Sequence, residues 1–245
     1  MRIHHATLPL AGYTLQQIDF DPATFQPEDL LWLPYHASLS GWGRKRQAEH
    51  LAGRIAAVYA LREVGEKQPP AIGDRRQPLW PAPWFGSISH CGQRALAVVA
   101  DRPVGVDIER RFTPQLAAEL ESSIINEVEK KVLLHSGLPF PLALTLAFSA
   151  KESGFKAWSS HALALPGFHS ARIVALTAQQ IHLRFTASFS VQLAHFTLQI
   201  NYLIKDDFVI TCTCPPREAC SFSLFKKLPV QTVDSSGWPL YGYIE

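Results

Sequence analysis

The sequence predicts an α+β fold made of two halves, each with helix followed by strands. In the first half, apolar residues recur at i, i+3 and i+4 over residues 44–62, the period of an amphipathic helix. Short apolar runs typical of strands follow within 87–109. In the second half, helices predicted over 114–136 and 141–158 precede strand-like runs between 170 and 214. A two-fold relation between the halves is a hypothesis, since no tandem repeat stands out.

Composition excludes several broad classes of protein. The chain has 245 residues, of which 47% are hydrophobic and 18% charged, so it can bury a core and is not disordered in bulk. A net charge of +2 is too small to indicate a nucleic-acid or anionic-membrane partner. The basic residues nevertheless form local clusters, at 44–46, 75–76, 110–111 and 130–131.

We expect a cytoplasmic protein without a membrane span. The N-terminal segment has no continuous apolar stretch of signal-peptide type. The longest apolar-rich run, 138–148, is far shorter than a span and contains two prolines. The four cysteines do not suggest a disulfide framework in a chain of this size, and we expect reduced thiols.

The stretch VGVDIE (104–109) carries two carboxylates in what should be a strand. The period-2 spacing places Val104, Val106 and Ile108 on one face and Asp107 and Glu109 on the other. Like charges so placed repel each other. The stretch is therefore either an ordinary half-exposed strand or part of a cation site, and the hexapeptide does not decide between them.

Residues elsewhere in the chain extend the cation-site hypothesis. Glu152, on the helix predicted over 141–158, is a third carboxylate, and three carboxylates suit Mg²⁺. The alternative for Glu152 is an i, i+4 salt bridge with Lys156. His90 ends the strand-like SISH beside a glycine turn, where a ring can meet a phosphate or simply satisfy the turn.

Arginines on the 44–62 helix and the absence of several common catalytic motifs restrict the reactions that this chain is expected to catalyse. Arg46 and Arg54 lie about 80° apart around the 44–62 helix, so both can line one cleft edge or lie on a solvated face. No Walker loop, GxGxxG, GxSxG or HExxH motif is present. The residues alone support Mg²⁺-dependent chemistry on a phosphate ester or anhydride. A Mg²⁺-dependent nuclease or phosphohydrolase fits the same carboxylates, but the isolated basic clusters do not form the continuous track that nucleic acid requires.

Three motifs, in order and separation, resemble a known family. SISHCGQRALAVVA (87–100), GVDIE (105–109) and FSAKESGFKAW (148–158) resemble the Sfp-type 4′-phosphopantetheinyl transferases. Further stretches, among them RKRQAEHLAGRIAAVYALRE (44–63) and AIGDRRQP (71–78), are similar to the enterobactin synthase component D branch of that family. The resemblance covers roughly residues 1–212; Phe148 stands where family members usually carry Trp.

The resemblance implies the 4′-phosphopantetheinyl transferase fold, with two similar subdomains related by a pseudo-two-fold and the active site between them. The implied subdomains are residues 1–103 and 104–214, followed by a tail over 215–245 that has no recognised counterpart. The implied residues are Asp107, Glu109 and Glu152 for Mg²⁺; Glu152, Lys156 and His90 for catalysis; and Arg46, Arg54, Arg75, Arg76, Ser89, His90 and Lys156 for coenzyme A.

The implied reaction moves 4′-phosphopantetheine from coenzyme A to a serine of an apo carrier domain and releases 3′,5′-ADP. The branch implies aryl and peptidyl carrier domains of a siderophore synthetase as acceptors. Membership of an enterobactin synthase assembly, or peripheral association with the inner membrane, is compatible with the sequence but not required by it. A transferase for fatty-acid or polyketide carriers and a non-catalytic carrier-binding adaptor are the remaining alternatives, and retention of all three carboxylates with Lys156 argues against the adaptor.

Overall fold

The computed structural model describes residues 1–73, 76–163 and 167–213, and over these it is an α+β protein. Its strands are β1 (Arg2–Leu10), β2 (Tyr13–Asp21), β3 (Ala71–Ile72), β4 (Pro78–Leu79), β5 (Phe85–Cys91), β6 (Arg94–Ala100), β7 (Gly105–Arg110), β8 (Ala171–Leu176), β9 (Gln180–Phe185), β10 (Thr197–Lys205) and β11 (Phe208–Thr213). Its α-helices are α1 (Arg44–Arg62), α2 (Pro114–Ile124), α3 (Glu127–Leu134) and α4 (Phe140–Trp158).

The first sheet is a four-stranded antiparallel sheet with the order β1-β2-β6-β5. Its first hairpin turns at Ala11 and Gly12, both with left-handed φ (58° and 78°), as a two-residue turn between twisted strands requires. Helix α1 packs on β2, β5 and β6. The approach is close, because a Cβ on Gly53 would lie 2.8 Å from Ile88 Cγ2. The side of α1 that carries Gly53 is therefore held against β5.

The second sheet has five antiparallel strands in the order β7-β11-β10-β9-β8, and α4 packs against it. Gly105 sets the contact between β7 and α4, since a Cβ at this position would lie 1.9 Å from the Ser153 carbonyl oxygen. Only glycine lets the strand and the helix come this close. Asp107 on β7 and Glu152 on α4 are each within two residues of this contact.

The two sheets meet where β5 faces β7. The hydroxyl of Ser87 accepts the Val106 N–H at 3.0 Å, and the hydroxyl of Ser89 accepts the Ile108 N–H at 3.3 Å. Serine side chains thus take the backbone donors on the edge of β7 that a neighbouring strand would otherwise satisfy. Apolar residues of both sheets share one core cluster beneath this seam: Leu15, Leu96, Val98, Ala100, Val104, Val106, Ile108, Phe208, Ile210 and Cys212.

The single helix predicted over 114–136 is wrong, because the structure has two helices there. Ile125 is extended, and the Asn126 side chain accepts the N–H groups of Val128 and Glu129. The Glu129 carboxylate accepts the Asn126 N–H in return. This capping box starts a new helix, which apolar periodicity by itself does not reveal.

Glu129 also takes part in a fully buried ion pair that the sequence analysis missed. Lys151 Nζ lies 2.7 Å from Glu129 Oε1, with side-chain exposures of 0% and 1%. The same ammonium donates to the carbonyl oxygens of Ile124 and Phe168 at 2.7 and 3.0 Å. Lys151 therefore ties α4 to the ends of neighbouring segments, one residue before Glu152.

Some predictions concern residues that the structure does not describe, and the division into subdomains stays a prediction. Arg75, Cys214 and the tail 215–245 lie outside the described residues. A division into subdomains at residue 103 stays a prediction; the chain passes from β6 to β7 at this point. Neither Cys91 nor Cys212 forms a disulfide with another described residue. Within the described ranges no helix has the length and apolar character needed to cross a membrane.

Candidate active site

Asp107 lies at the seam between the two sheets and is 1% exposed. Its Oδ1 accepts hydrogen bonds from Ser89 Oγ at 2.8 Å and from Lys156 Nζ at 2.6 Å. Its Oδ2 is buried and has no hydrogen-bond partner among the described residues. The interpretation of VGVDIE as a half-exposed strand with a solvated acidic face is therefore wrong for Asp107.

Glu109 and Glu152 are partly buried near Asp107, and their electrostatics show that the three carboxylates interact. Burial raises the pKa of Glu109 well above its usual value, and the charges of Asp107 and Glu152 add to the effect. Burial likewise raises the pKa of Glu152 to about 7, with the Lys156 ammonium opposing and Asp107 adding to the shift. The charged forms of both glutamates are therefore disfavoured in the folded protein.

Lys156 supplies the cation in contact with this cluster. Burial favours the neutral amine, but the carboxylates of Asp107 and Glu152 outweigh it and raise the pKa of Lys156. Lys156 also donates to Ser89 Oγ at 3.1 Å. The ion pair that it forms is with Asp107 across the sheet–helix contact, not the i, i+4 bridge to Glu152.

The donor set fits a divalent metal ion, although its present arrangement is not a closed site. Among the described residues no three His, Cys, Asp or Glu side chains stand as a group that could hold a metal ion. Asp107 nevertheless keeps one buried oxygen without a donor, and both glutamates are held where their charge is disfavoured. Oxygen ligands with unsatisfied negative charge are the chemistry that Mg²⁺ requires. The metal ligands Asp107, Glu109 and Glu152 stay a prediction.

A cavity of about 210 Å³ lies beside the cluster and carries most of the predicted basic residues. Two guanidinium groups pack on the Trp42 ring, with Arg46 Cζ at 4.5 Å and Arg76 Cζ at 5.1 Å from the ring centroid. Arg54 is 3% exposed, and its Nε donates to Tyr35 Oη at 2.8 Å. The described lining residues are Trp42, Arg46, Glu49, His50, Gly53, Arg54, Arg76, Pro78, Ile88 and His90. This concentration of positive charge suits an anionic ligand.

His90 connects the cavity with the carboxylates. It lines the cavity and directly follows Ser89, the residue bonded to Asp107. Although 41% of its side chain is exposed, burial and the charges of Lys156 and Arg46 lower the pKa of His90 to about 4. A neutral ring can donate a hydrogen bond to an anion at neutral pH. Arg46, Arg54, Arg76 and His90 thus share one cavity, and His90 also interacts electrostatically with Lys156 and Asp107.

The sequence analysis missed four cavity residues of the α1 region: Trp42, Glu49, His50 and Gly53. Glu49, His50 and Gly53 follow Arg46 by three, four and seven residues, which places them on the same side of α1 as Arg46, and Trp42 lies just before the helix. That spacing is visible in the sequence. Arg75, predicted beside Arg76, lies outside the described residues.

Comparisons with known proteins identify the family of this chain. The profile of the 4′-phosphopantetheinyl transferase N-terminal domain matches residues 36–100, and that of the 4′-phosphopantetheinyl transferase superfamily matches residues 103–213. The chain is therefore a transferase. It belongs to the 4′-phosphopantetheinyl transferase superfamily, as the sequence resemblance implied, and the expected fold class is confirmed with it.

Individual relatives are similar over most of the chain. Enterobactin synthase component D of Salmonella typhimurium is 52% identical over 211 residues, covering 86% of this chain and 90% of that protein. Enterobactin synthase component D of Escherichia coli strain K12 is 52% identical over 212 residues, covering 86% of this chain and 98% of that protein. 4′-Phosphopantetheinyl transferase Npt of Nocardia iowensis is 35% identical over 154 residues, covering 60% of this chain and 68% of that protein.

Proposed function

We propose that this transferase moves 4′-phosphopantetheine from coenzyme A to a serine of an apo carrier domain, and that its acceptors are the aryl and peptidyl carrier domains of enterobactin-type siderophore synthesis. The names of the relatives 52% identical to this chain support the acceptor class. One structural observation carries the proposal: His90, which lines the arginine-rich cavity, interacts electrostatically with Lys156 and Asp107, and Asp107 has a buried oxygen without a hydrogen-bond partner among the described residues.

The cavity residues bind and orient the nucleotide end of coenzyme A. Arg46, Arg54 and Arg76 offer guanidinium groups to the 3′-phosphate and its neighbours, a pairing that bidentate donors suit. His90 and Lys156 lie on the side towards the carboxylates, where they can meet the pyrophosphate. The substrate is then held with its reacting phosphate next to the cluster.

Asp107, Glu109 and Glu152 would hold Mg²⁺, which supplies charge neutralisation for the pyrophosphate. Lys156 and Ser89 donate to Asp107 Oδ1, which leaves the buried Oδ2 as the oxygen that the metal would use. The three carboxylates repel one another, and the bound cation would offset that repulsion.

Residues of this chain can accept the proton and stabilise the charge that the transfer step releases. The carrier serine Oγ attacks the phosphorus that bears pantetheine, the bond from that phosphorus to the oxygen shared with the nucleotide phosphate breaks, and 3′,5′-ADP leaves. A Glu152 carboxylate oxygen accepts the serine proton. The Lys156 ammonium stabilises the charge on the departing phosphate.

The test is the intact mass of purified apo carrier proteins after incubation with this protein, coenzyme A and Mg²⁺. We expect one phosphopantetheine to be added to an aryl carrier and a peptidyl carrier, with initial rates above that for a fatty-acid acyl carrier. Omission of Mg²⁺ should stop the reaction. No mass gain on any carrier would contradict the proposed activity, and equal rates on all carriers would contradict only the proposed acceptor preference.

A further inference from the structure

Glu49 is a carboxylate inside the arginine-lined cavity that the proposed mechanism does not use. Its side chain is 16% exposed, and it is the single acid among the described lining residues. The nearest ring nitrogen, His90 Nδ1, is 4.0 Å from Glu49 Oε2, which is too long for a hydrogen bond. Its carboxylate accepts no hydrogen bond within the described part of the chain. An acid here weakens phosphate binding unless the ligand brings a donor for it.

The surroundings of Glu49 make its lack of a partner costly. Burial raises the pKa of Glu49, even though Lys45 and Arg46 oppose the shift. The carboxylate is therefore partly removed from water without the hydrogen bonds that normally compensate it. A cavity acceptor without a protein donor takes its hydrogen bond from water or from a ligand.

The position of Glu49 relative to Arg46 restricts what that donor can be. The two residues are at i and i+3 on α1, so their Cβ atoms are about 5–6 Å apart. A ligand that engages both presents an anion and a hydrogen-bond donor on adjacent atoms. The ribose of coenzyme A does so, because its 3′-phosphate and its free 2′-hydroxyl are on neighbouring carbons.

We propose that Glu49 accepts a hydrogen bond from the ribose 2′-hydroxyl of coenzyme A, beside the arginines that bind the 3′-phosphate. This inference rests on the proposed function, since it assumes that the cavity receives the nucleotide end of coenzyme A. Glu49 is then a specificity residue: it favours a ribose with a free 2′-hydroxyl and repels a phosphate at the 2′ position.

The experiment compares dissociation constants measured by calorimetry for 3′,5′-ADP and for 2′-deoxy-3′,5′-ADP. The wild-type protein should bind the ribonucleotide about 10- to 100-fold more tightly, as expected for a hydrogen bond to a charged acceptor. Glu49→Ala should reduce this ratio to about one, and Glu49→Gln to an intermediate ratio, since a neutral amide oxygen accepts more weakly. Both variants should bind 2′,5′-ADP more tightly than the wild type does.

The matched control is Glu63→Gln, which removes an exposed charge just beyond the end of α1; its ratio should equal that of the wild type. Thermal melting confirms that each variant is folded. A wild-type ratio retained in Glu49→Ala overturns the inference, because the carboxylate then only balances charge. A preference that depends instead on the adenine 6-amino group, measured with 3′,5′-IDP, also overturns it. If 3′,5′-ADP does not bind the wild type, the proposed coenzyme A site is overturned as well. If it binds but Glu49→Ala keeps the wild-type ratio of dissociation constants, only the role of Glu49 is overturned.

Discussion

Lys156 Nζ lies 2.6 Å from Asp107 Oδ1, and this contact joins the last turn of α4 to the middle of β7. The aspartate side chain is 2% exposed and the lysine side chain 30% exposed. The ammonium satisfies one carboxylate oxygen, while the other remains without a partner in the described structure. A protein that needed Asp107 only for stability would gain by satisfying both oxygens, so this half-satisfied pair is typical of a functional site.

The contact predicts that the two residues act together. We expect Asp107→Asn and Lys156→Met each to reduce carrier modification by at least about 100-fold, the scale seen when one preorganised charged group is removed from an active site. The double variant should lose less than the product of the two effects, because residues that act as a unit are not additive. Single-turnover mass spectrometry of the carrier gives the rates.

The control for this pair is Asp101→Asn, which alters an exposed aspartate that pairs with its neighbour Arg102. Its rate should match that of the wild type. Wild-type rates in Asp107→Asn would contradict the placement of this residue in the reaction.

Glu109→Gln should stabilise the protein while it impairs the reaction. Burial and neighbouring carboxylates raise the pKa of Glu109, so its charged form is disfavoured in the folded state at neutral pH. The neutral amide removes that cost, and we expect the free energy of unfolding to rise without divalent metal. Urea unfolding at pH 7 measures it.

Urea unfolding at pH 7 in the presence of Mg²⁺ provides the comparison between the wild type and Glu109→Gln. Added Mg²⁺ should stabilise the wild type by mass action and stabilise Glu109→Gln much less. A variant that is less stable than the wild type without metal would contradict the account of Glu109 as a strained carboxylate.

Gly105→Ala should disrupt the site through the backbone. The added Cβ would lie 1.9 Å from the Ser153 carbonyl oxygen, so β7 and α4 must separate. We expect a loss of about 3 kcal/mol or more in the free energy of unfolding, at the upper end for overpacking. Carrier modification should fall even under conditions where the variant is folded, because Asp107 and Glu152 move apart. Gly41→Ala, where a Cβ meets nothing within 4 Å, should change neither quantity.

The lowered pKa of His50 predicts that the folded protein loses stability as the pH falls. Burial and the charges of Arg54, His90 and Arg46 lower its pKa from 6.5 to about 3. The unfolded chain therefore binds a proton below pH 6.5 that the folded chain does not. The free energy of unfolding should fall as the pH falls below 6.5, by up to about 1.4 kcal/mol per pH unit from this residue.

The measurement is urea unfolding at pH 7, 6 and 5 for the wild type and for His50→Gln. The variant should lose less stability between pH 6 and pH 5 than the wild type. His4→Gln, which alters a ring that is 77% exposed, should keep the wild-type slope. Equal slopes for all three proteins would contradict the assignment.

Local patterns in the sequence determined most of the secondary structure. The helix predicted over 44–62 is α1 with the same bounds, and the helix predicted from 141 begins one residue earlier, at Phe140. Both follow from the periodicity of apolar side chains, a property of consecutive residues. The division between α2 and α3 was also encoded locally, in the capping pair Asn126 and Glu129, but apolar periodicity does not report it.

The sequence by itself determined which chemical groups this protein carries and on which elements: Asp107 and Glu109 on one strand, Glu152 and Lys156 on one helix, and the arginines of α1. Only the tertiary structure decided which of them meet. Lys156 pairs with Asp107, 49 positions away, rather than with Glu152 one turn away, because α4 packs on β7 at Gly105. It also decided which charges lack a partner, since burial and neighbours from distant segments set the cost of each charge.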